Sequence, residues 1–220
     1  MLGVCVNFIA IVIGATFGLV LNKEVPKSLQ KSLMNALALG VIYIGILGLS
    51  APTDTLFIIV SLVLGTFIGE LLRIDENIHQ QTLKLEAKLQ KGDIAEGFIS
   101  AVLLFCVGAM AILGAVESSQ GNHDIFYTKA VLDGVTSVMF ATTLGLGVLL
   151  SAFVVLIYQG SLVLLAGLLS PILTEAALTD IGVLGGLMML ALGLNVMGIT
   201  KIKVANMLPA LVLPILWHLI

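Results

Sequence analysis

The residue best placed to do chemistry is Asp133, which stands in the string LDGVTSVMFATT (132–143) about two turns into an apolar stretch. Gly134, Thr136, Ser137, Thr142 and Thr143 accompany it. A carboxylate among hydroxyls can coordinate a cation, accept a proton or hold a polar solute. An ionisable group at membrane depth is costly and needs a partner, a water-filled cavity or a task. The alternative is a structural carboxylate, hydrogen-bonded across helices or placed shallowly near a surface.

A second polar group is YQGS (158–161), with Ser151 two turns earlier. A buried amide must find hydrogen bonds, and interhelical bonding is one ordinary outcome. The same holds for Asn7, Asn35 and Asn195 taken singly; taken as repeat partners of polar regions, they also suit a cavity lining. In ANMLPALVLP (205–214) an amide, Asn206, is combined with Pro209 and Pro214, whose freed carbonyls suit a cavity lining or a simple kink. The candidate substrate- or ion-binding set is therefore Asp133, Thr136, Ser137, Tyr158, Gln159, Asn195 and Asn206. Glu70 beside Arg73 reads as a surface ion pair, and Glu117, Glu175 and Asp180 as solvated or capping groups. His218 is alone near the end of the chain, so no metal site and no cofactor are expected.

The elements that carry these residues follow from composition. Hydrophobic residues make up 59% of the 220 and charged residues 10%, against about 25% charged in an ordinary soluble domain. The apolar residues come in blocks of bilayer-spanning length, roughly 20 residues. The net charge of −3 gives no reason to expect nucleic acid as a partner. Cys5 and Cys106 sit inside apolar blocks with no CxxC spacing and read as unpaired. The block from Leu2 to Leu21 has no basic leader and no A-x-A signature after it, so it reads as a retained span.

The result is a single all-α membrane domain over 1–220, with about eight transmembrane helices at 2–21, 29–49, 55–72, 97–116, 125–144, 146–169, 176–199 and 204–220. Gly145 and Gly147 supply the turn that divides 125–169. Lys23, Lys27, Lys31, Arg73, Lys84, Lys88, Lys91, Lys201 and Lys203 then fall on one side, which the positive-inside rule makes cytoplasmic. Both termini are then outside, and Lys129 is the single basic residue on the outer side. The loop at 73–96 reads as an amphipathic helix on the inner leaflet or a solvated connector. Asp75 would cap it, Ile74, Ile78, Leu85 and Leu89 would form its apolar stripe, and Gly92 would end it.

LALGVIYIGI (37–46) and LALGLNVMGI (190–199) match at a spacing of 153 residues, which also pairs Gly14 with Gly167. Repeats over 2–72 and 146–220, five spans apart, would be inverted, an arrangement common among secondary transporters. The alternative is chance similarity between Gly- and Leu-rich helices. A competing spacing of 98 pairs Lys31 with Lys129 and Asn35 with Asp133.

The strings LDGVTSVMFATTLGLGV (132–148), SAFVVLIYQGSLVLLAG (151–167), LGLNVMGITKIKVANMLPAL (192–211) and IGELLRID (68–75) resemble the bacterial membrane family known as domain of unknown function 554. The resemblance covers essentially the whole chain. It implies a multi-pass protein of the bacterial cytoplasmic (inner) membrane with a transport role, and supplies neither a substrate nor an active site.

Two function classes remain. One is a secondary transporter of a small solute or ion, in which Asp133 binds a proton or Na⁺ and Tyr158, Gln159, Asn195 and Asn206 line the cavity. The other is a non-transporting scaffold, interaction or lipid-handling protein, motivated by short loops and Gly-rich faces such as Gly14/Gly18 and Gly182/Gly186, which also suit a homo-oligomer. No phosphate loop, HExxH motif or nucleophile elbow is present, so an enzyme is not expected. Membrane lipid is the expected surrounding partner.

Overall fold

The computed structural model describes residues 1–22, 26–89, 94–106, 109–169 and 173–219. Among them every regular element is helical: α1 (Leu2–Asn22), α2 (Lys27–Gly48), α3 (Thr55–Leu71), α4 (Ile74–Leu89), α5 (Ile94–Cys106), α6 (Ala109–Ser119), α7 (Asp124–Leu144), α8 (Leu146–Leu169) and α9 (Glu175–Val196). A 3-10 helix (Val204–Leu211) and the short α10 (Leu213–Trp217) complete the chain.

Four of these, α1, α2, α8 and α9, are long and apolar enough to cross a membrane, and up to six spans result if the bent pairs α3–α4 (49°) and α5–α6 (56°) each count as one. The eight expected segments thus each appear as helix, but a count of eight crossings goes beyond what length and composition carry. The shortfall has physical causes. α7 is long, but Asp124, Lys129 and Asp133 lower its apolarity. The last segment, Val204–Trp217, is short. Pro209 sits inside its 3-10 turn and Pro214 opens α10, where its missing N–H costs nothing.

The division of 125–169 falls where the glycines placed it. Gly145 closes α7 with φ of 73°, a left-handed conformation that suits a residue without Cβ, and its N–H returns to the Ala141 carbonyl. The amphipathic element is α4, with Ile74 and Ile78 partly buried against the main core. Its expected cap, Asp75, instead lies in the first turn, and the Asp75 N–H is held at 2.8 Å by the side chain of Asn206. Gly92, expected to end that helix, lies outside the described residues, as do Lys23 and Lys91.

The helices pack closely where small residues allow it. A methyl group added at Gly14 would collide with Ser137 and the Gly134 carbonyl, and one at Gly18 with the Val138 carbonyl, so α1 and α7 lie parallel in near backbone contact. α2 and α9 meet antiparallel through Gly45, Gly48 and Gly186. α3 lies antiparallel to the 3-10 helix, with Gly65 against Ala210 and Gly69 against Asn206. The Gly14/Gly18 face and Gly186 are therefore used inside the chain.

This register gives the bundle two ends. One carries the start of α1, the α2–α3 connection, the start of α9 and the close of α10; it is called here the terminal end. The other, the basic end, carries the bend at Arg73, the turn at Gly145 and residues 197–203. Large apolar side chains cover much of the flank between them: Leu56, Val63, Phe67, Ile157 and Leu164 are each more than 60% exposed. Gln159, Asn7, Asp133 and Lys129 are buried instead. Apolar outside with polar groups sealed within is the arrangement that lipid, not water, selects.

Candidate functional site

The polar core is built from three helices. On α7, Lys129 and Asp133 are four residues apart and share a face, so Lys129 Nζ sits 3.0 Å from Asp133 Oδ1 and 2.9 Å from Oδ2. Both side chains are 8% exposed. From α1, Asn7 Nδ2 donates to Asp133 Oδ2 at 3.0 Å and to Gln159 Oε1 of α8 at 3.0 Å. Ser137, one turn beyond Asp133, donates to the Gly134 carbonyl at 2.7 Å and to the Ile11 carbonyl of α1 at 3.2 Å. The approach at Gly14 is what brings the α1 backbone within reach of that hydroxyl.

The network closes in charge but not in hydrogen bonds. Asn7 Oδ1 and Gln159 Nε2 are buried without a partner among the described residues. Buried polar atoms are ordinarily satisfied, and an exception calls for an explanation such as a water or a ligand. Here one acceptor and one donor adjoin an ion pair, a set able to hold a small polar guest.

Of the expected site residues, the structure joins Asp133 and Gln159 through Asn7 and places Ser137 one turn away. Thr136 is half-buried on another face, its hydroxyl donating to the Leu132 carbonyl. Tyr158 is half-buried too, but Asn7 bonds to its neighbour Gln159. Asn195 and Asn206 lie elsewhere, at the basic end. Asn195 pins the connection after α9, donating to the Ile202 carbonyl at 2.7 Å and accepting from Thr200 and from the Ile202 N–H. Asn206 donates to Glu70 Oε2 at 2.6 Å while accepting the Asp75 N–H. Glu70 is paired with Lys203 at 2.8 Å rather than with Arg73, because the bend gives Arg73 a left-handed φ of 50° while the chain after α9 delivers Lys203 to the corner. Hydrogen bonds to Glu70 and then Glu76 hold the Lys203 ammonium above its ordinary range.

Two residues escaped sequence reasoning. Lys129, in sequence only the single basic residue on the outer side, is buried within α7 and neutralises Asp133; the i, i+4 spacing is the signal available. Asn7 reads in sequence as bonding between helices or as cavity lining; it does bond between helices, but nothing in sequence marks its reach to both Asp133 and Gln159. Asp180, expected to be solvated or capping, is buried and bonded to His218 at 2.8 Å, while Thr174 caps α9. Both cysteines are unpaired, as expected.

Among the described residues, a cavity opens at each end. One of about 450 Å³ at the basic end is lined by residues including Asp75, His79, Glu96, Asn195 and Lys201. The other, of about 380 Å³, lies at the terminal end between Asp54, Phe57, Asp180, Trp217 and His218. Among the described residues, no group of three or more His, Cys, Asp or Glu is arranged to hold a metal ion.

With this geometry in place, the family comparison is decisive: the model of the protein family of unknown function DUF554 matches residues 2–219. The chain belongs to that family. Similar members are the uncharacterized membrane protein YdfK of Bacillus subtilis (strain 168), 32% identical over 219 residues, and the uncharacterized protein YqgA of Escherichia coli (strain K12), 29% identical over 220. The alignments cover 97% and 96% of this chain and 94% of each relative. No solved structure matches. It is thus a membrane protein of a family of unknown function.

Proposed function

We propose that the protein is a secondary carrier of a small solute or ion across the bacterial cytoplasmic membrane, with the Lys129–Asp133 pair as its coupling centre. The observation that carries this reading is a buried ion pair beside two unsatisfied amide atoms, on helices that also pack without side-chain bulk at Gly14 and Gly18. A proton or cation reaching Asp133 competes with the Lys129 ammonium for the same carboxylate. Loading and release thus switch which group is uncompensated, which is the differential interaction a conformational switch requires. Asn7 and Gln159 couple that event to α1 and α8.

The topology that best serves this mechanism has eight crossings and both termini outside, so that nine of the ten basic residues face the cytoplasm. The antiparallel packing of α2 on α9, and of α3 on the 3-10 helix, supports an inverted repeat over 2–72 and 146–220.

The test is charge movement in proteoliposomes adsorbed on a solid support, with steps of pH, Na⁺, K⁺ and organic cations. Wild type should give transient currents that Asp133→Asn abolishes. Currents no different from those of empty liposomes across the whole panel, or unaltered by Asp133→Asn, would sink the carrier reading and favour a scaffold or lipid-handling role.

A further inference from the structure

The cavity at the terminal end has a composition unlike the rest of the molecule. Phe57 of α3 and Trp217 of α10 stand with ring centroids 5.3 Å apart, and the His218 imidazole lies edge-on to Phe57 at 6.3 Å. Two carboxylates share the lining, and no Lys or Arg does. Asp54 caps α3 through Oδ1, accepting from the Leu56 and Phe57 N–H groups at 2.9 and 3.3 Å, and its Oδ2 takes no bond among the described residues. Asp180 is bonded to His218 through Oδ2 alone, leaving Oδ1 similarly free. The three helices α3, α9 and α10 thus converge to put two aromatic rings, an imidazole and two partly engaged carboxylates around about 380 Å³, with Trp217 62% exposed.

We infer that this cavity is a binding site for a small organic cation, of the protonated-amine or quaternary-ammonium class. The ring faces carry the negative side of their quadrupoles and attract a cation held over them, while the carboxylates supply full charge. Bare alkali ions are a poorer match, because most of the wall is carbon that cannot replace their hydration oxygens. A neutral solute can only donate hydrogen bonds to the two carboxylates, whereas a cation also compensates their charge. The volume is in the range of small-molecule sites. The inference rests on the carrier reading only for what becomes of the bound cation, which would enter here on its way to Asp133; occupancy of the cavity does not depend on it.

Trp217 is the single tryptophan of the chain, so its fluorescence reports the site directly. The experiment is a titration of the full-length protein in detergent with tetramethylammonium chloride. Sodium chloride at equal ionic strength and tert-butanol, an uncharged molecule of similar shape, serve as controls. A saturable change in emission is expected with tetramethylammonium alone, at roughly millimolar concentrations. Asp54→Asn keeps an N-capping oxygen and Asp180→Asn keeps a partner for His218, yet each removes a charge and should weaken the titration about fivefold or more. An emission that does not move, that moves equally with sodium chloride or tert-butanol, or that titrates as in wild type in both variants overturns the site. Such a result would leave Trp217 as an aromatic anchor at the membrane interface. Asp133→Asn separates the two proposals. Trp217 titration retained with no Asp133-dependent current keeps the site and rejects the carrier. Asp133-dependent current with no Trp217 response does the reverse.

Discussion

The same three groups, a carboxylate, a lysine and an asparagine amide, occur together at two places in this molecule with opposite consequences. In the core, Asp133 is held by Lys129 and Asn7 with both charged side chains 8% exposed. At the basic end, Glu70 is held by Lys203 and Asn206, and the charged side chains are 55% and 43% exposed. At the corner, water and salt share the charge, so the ion pair is nearly optional. In the core, each charge exists only because the other is there. What the comparison teaches is that depth, not the list of residue types, decides how much an ion pair matters: only where the partner is indispensable does displacing it change the energy of the whole state.

The sharpest way to break the comparison is to remove one partner at each place. Lys129→Met leaves Asp133 buried and uncompensated, and thermal or denaturant unfolding in detergent should show a loss of about 3–5 kcal/mol. The double variant Lys129→Met/Asp133→Leu should recover most of it, since an apolar pair of similar volume asks nothing of the core. A double variant as unstable as the single one would mean that packing at α7, rather than charge, sets the cost.

That ion pair also marks the boundary of what was legible in the sequence. The helical segmentation was readable almost throughout, because apolar block length and Gly145 are local signals that no tertiary contact needs to supply. Asp133 was singled out for the same reason, being a charge in an apolar block. Its partners were harder. Lys129 lies one turn away, but near the start of its segment it reads only as the single basic residue on the outer side. Asn7 and Gln159 are 126 and 152 residues from the groups they meet, and only the packing at Gly14 and Gly18 decides that α1 faces α7. Asn195 and Asn206 stand out as amides in spans, yet Asn195 ties the connection after α9 and Asn206 holds the Asp75 N–H at the α3–α4 bend. An amide looks the same in sequence whether it lines a cavity or ties a turn.

Smaller substitutions sharpen the contrast. Asn7→Ala removes two bonds from buried acceptors, Asp133 Oδ2 and Gln159 Oε1, and should cost about 1–3 kcal/mol in the same unfolding assay. Asn206→Ala frees the Asp75 N–H at the start of α4 and resembles the loss of an N-cap, about 0.5–2 kcal/mol. If the order were reversed, with the corner amide the costlier, then the α3–α4 bend and not the polar core would be the more tightly constrained feature.

The weakest expected effect is at Lys203, and its pH dependence has a definite sign. Hydrogen bonds to Glu70 and Glu76 raise its folded-state value above the ordinary 10.5. The folded protein therefore holds this proton more tightly than the unfolded chain does. The resulting stabilisation is fully present below 10.5 and is lost as pH rises through the folded value. Measured as the difference in unfolding midpoint between wild type and Glu70→Gln, it should be small and constant from about pH 7 to about pH 9 and shrink only in more alkaline buffer. Raising salt should erase it at every pH, because both partners are solvated. The core pair should show no such salt response. A Glu70→Gln difference that survives high salt would mean that the corner is as desolvated as the core, and the distinction between the two regions would collapse.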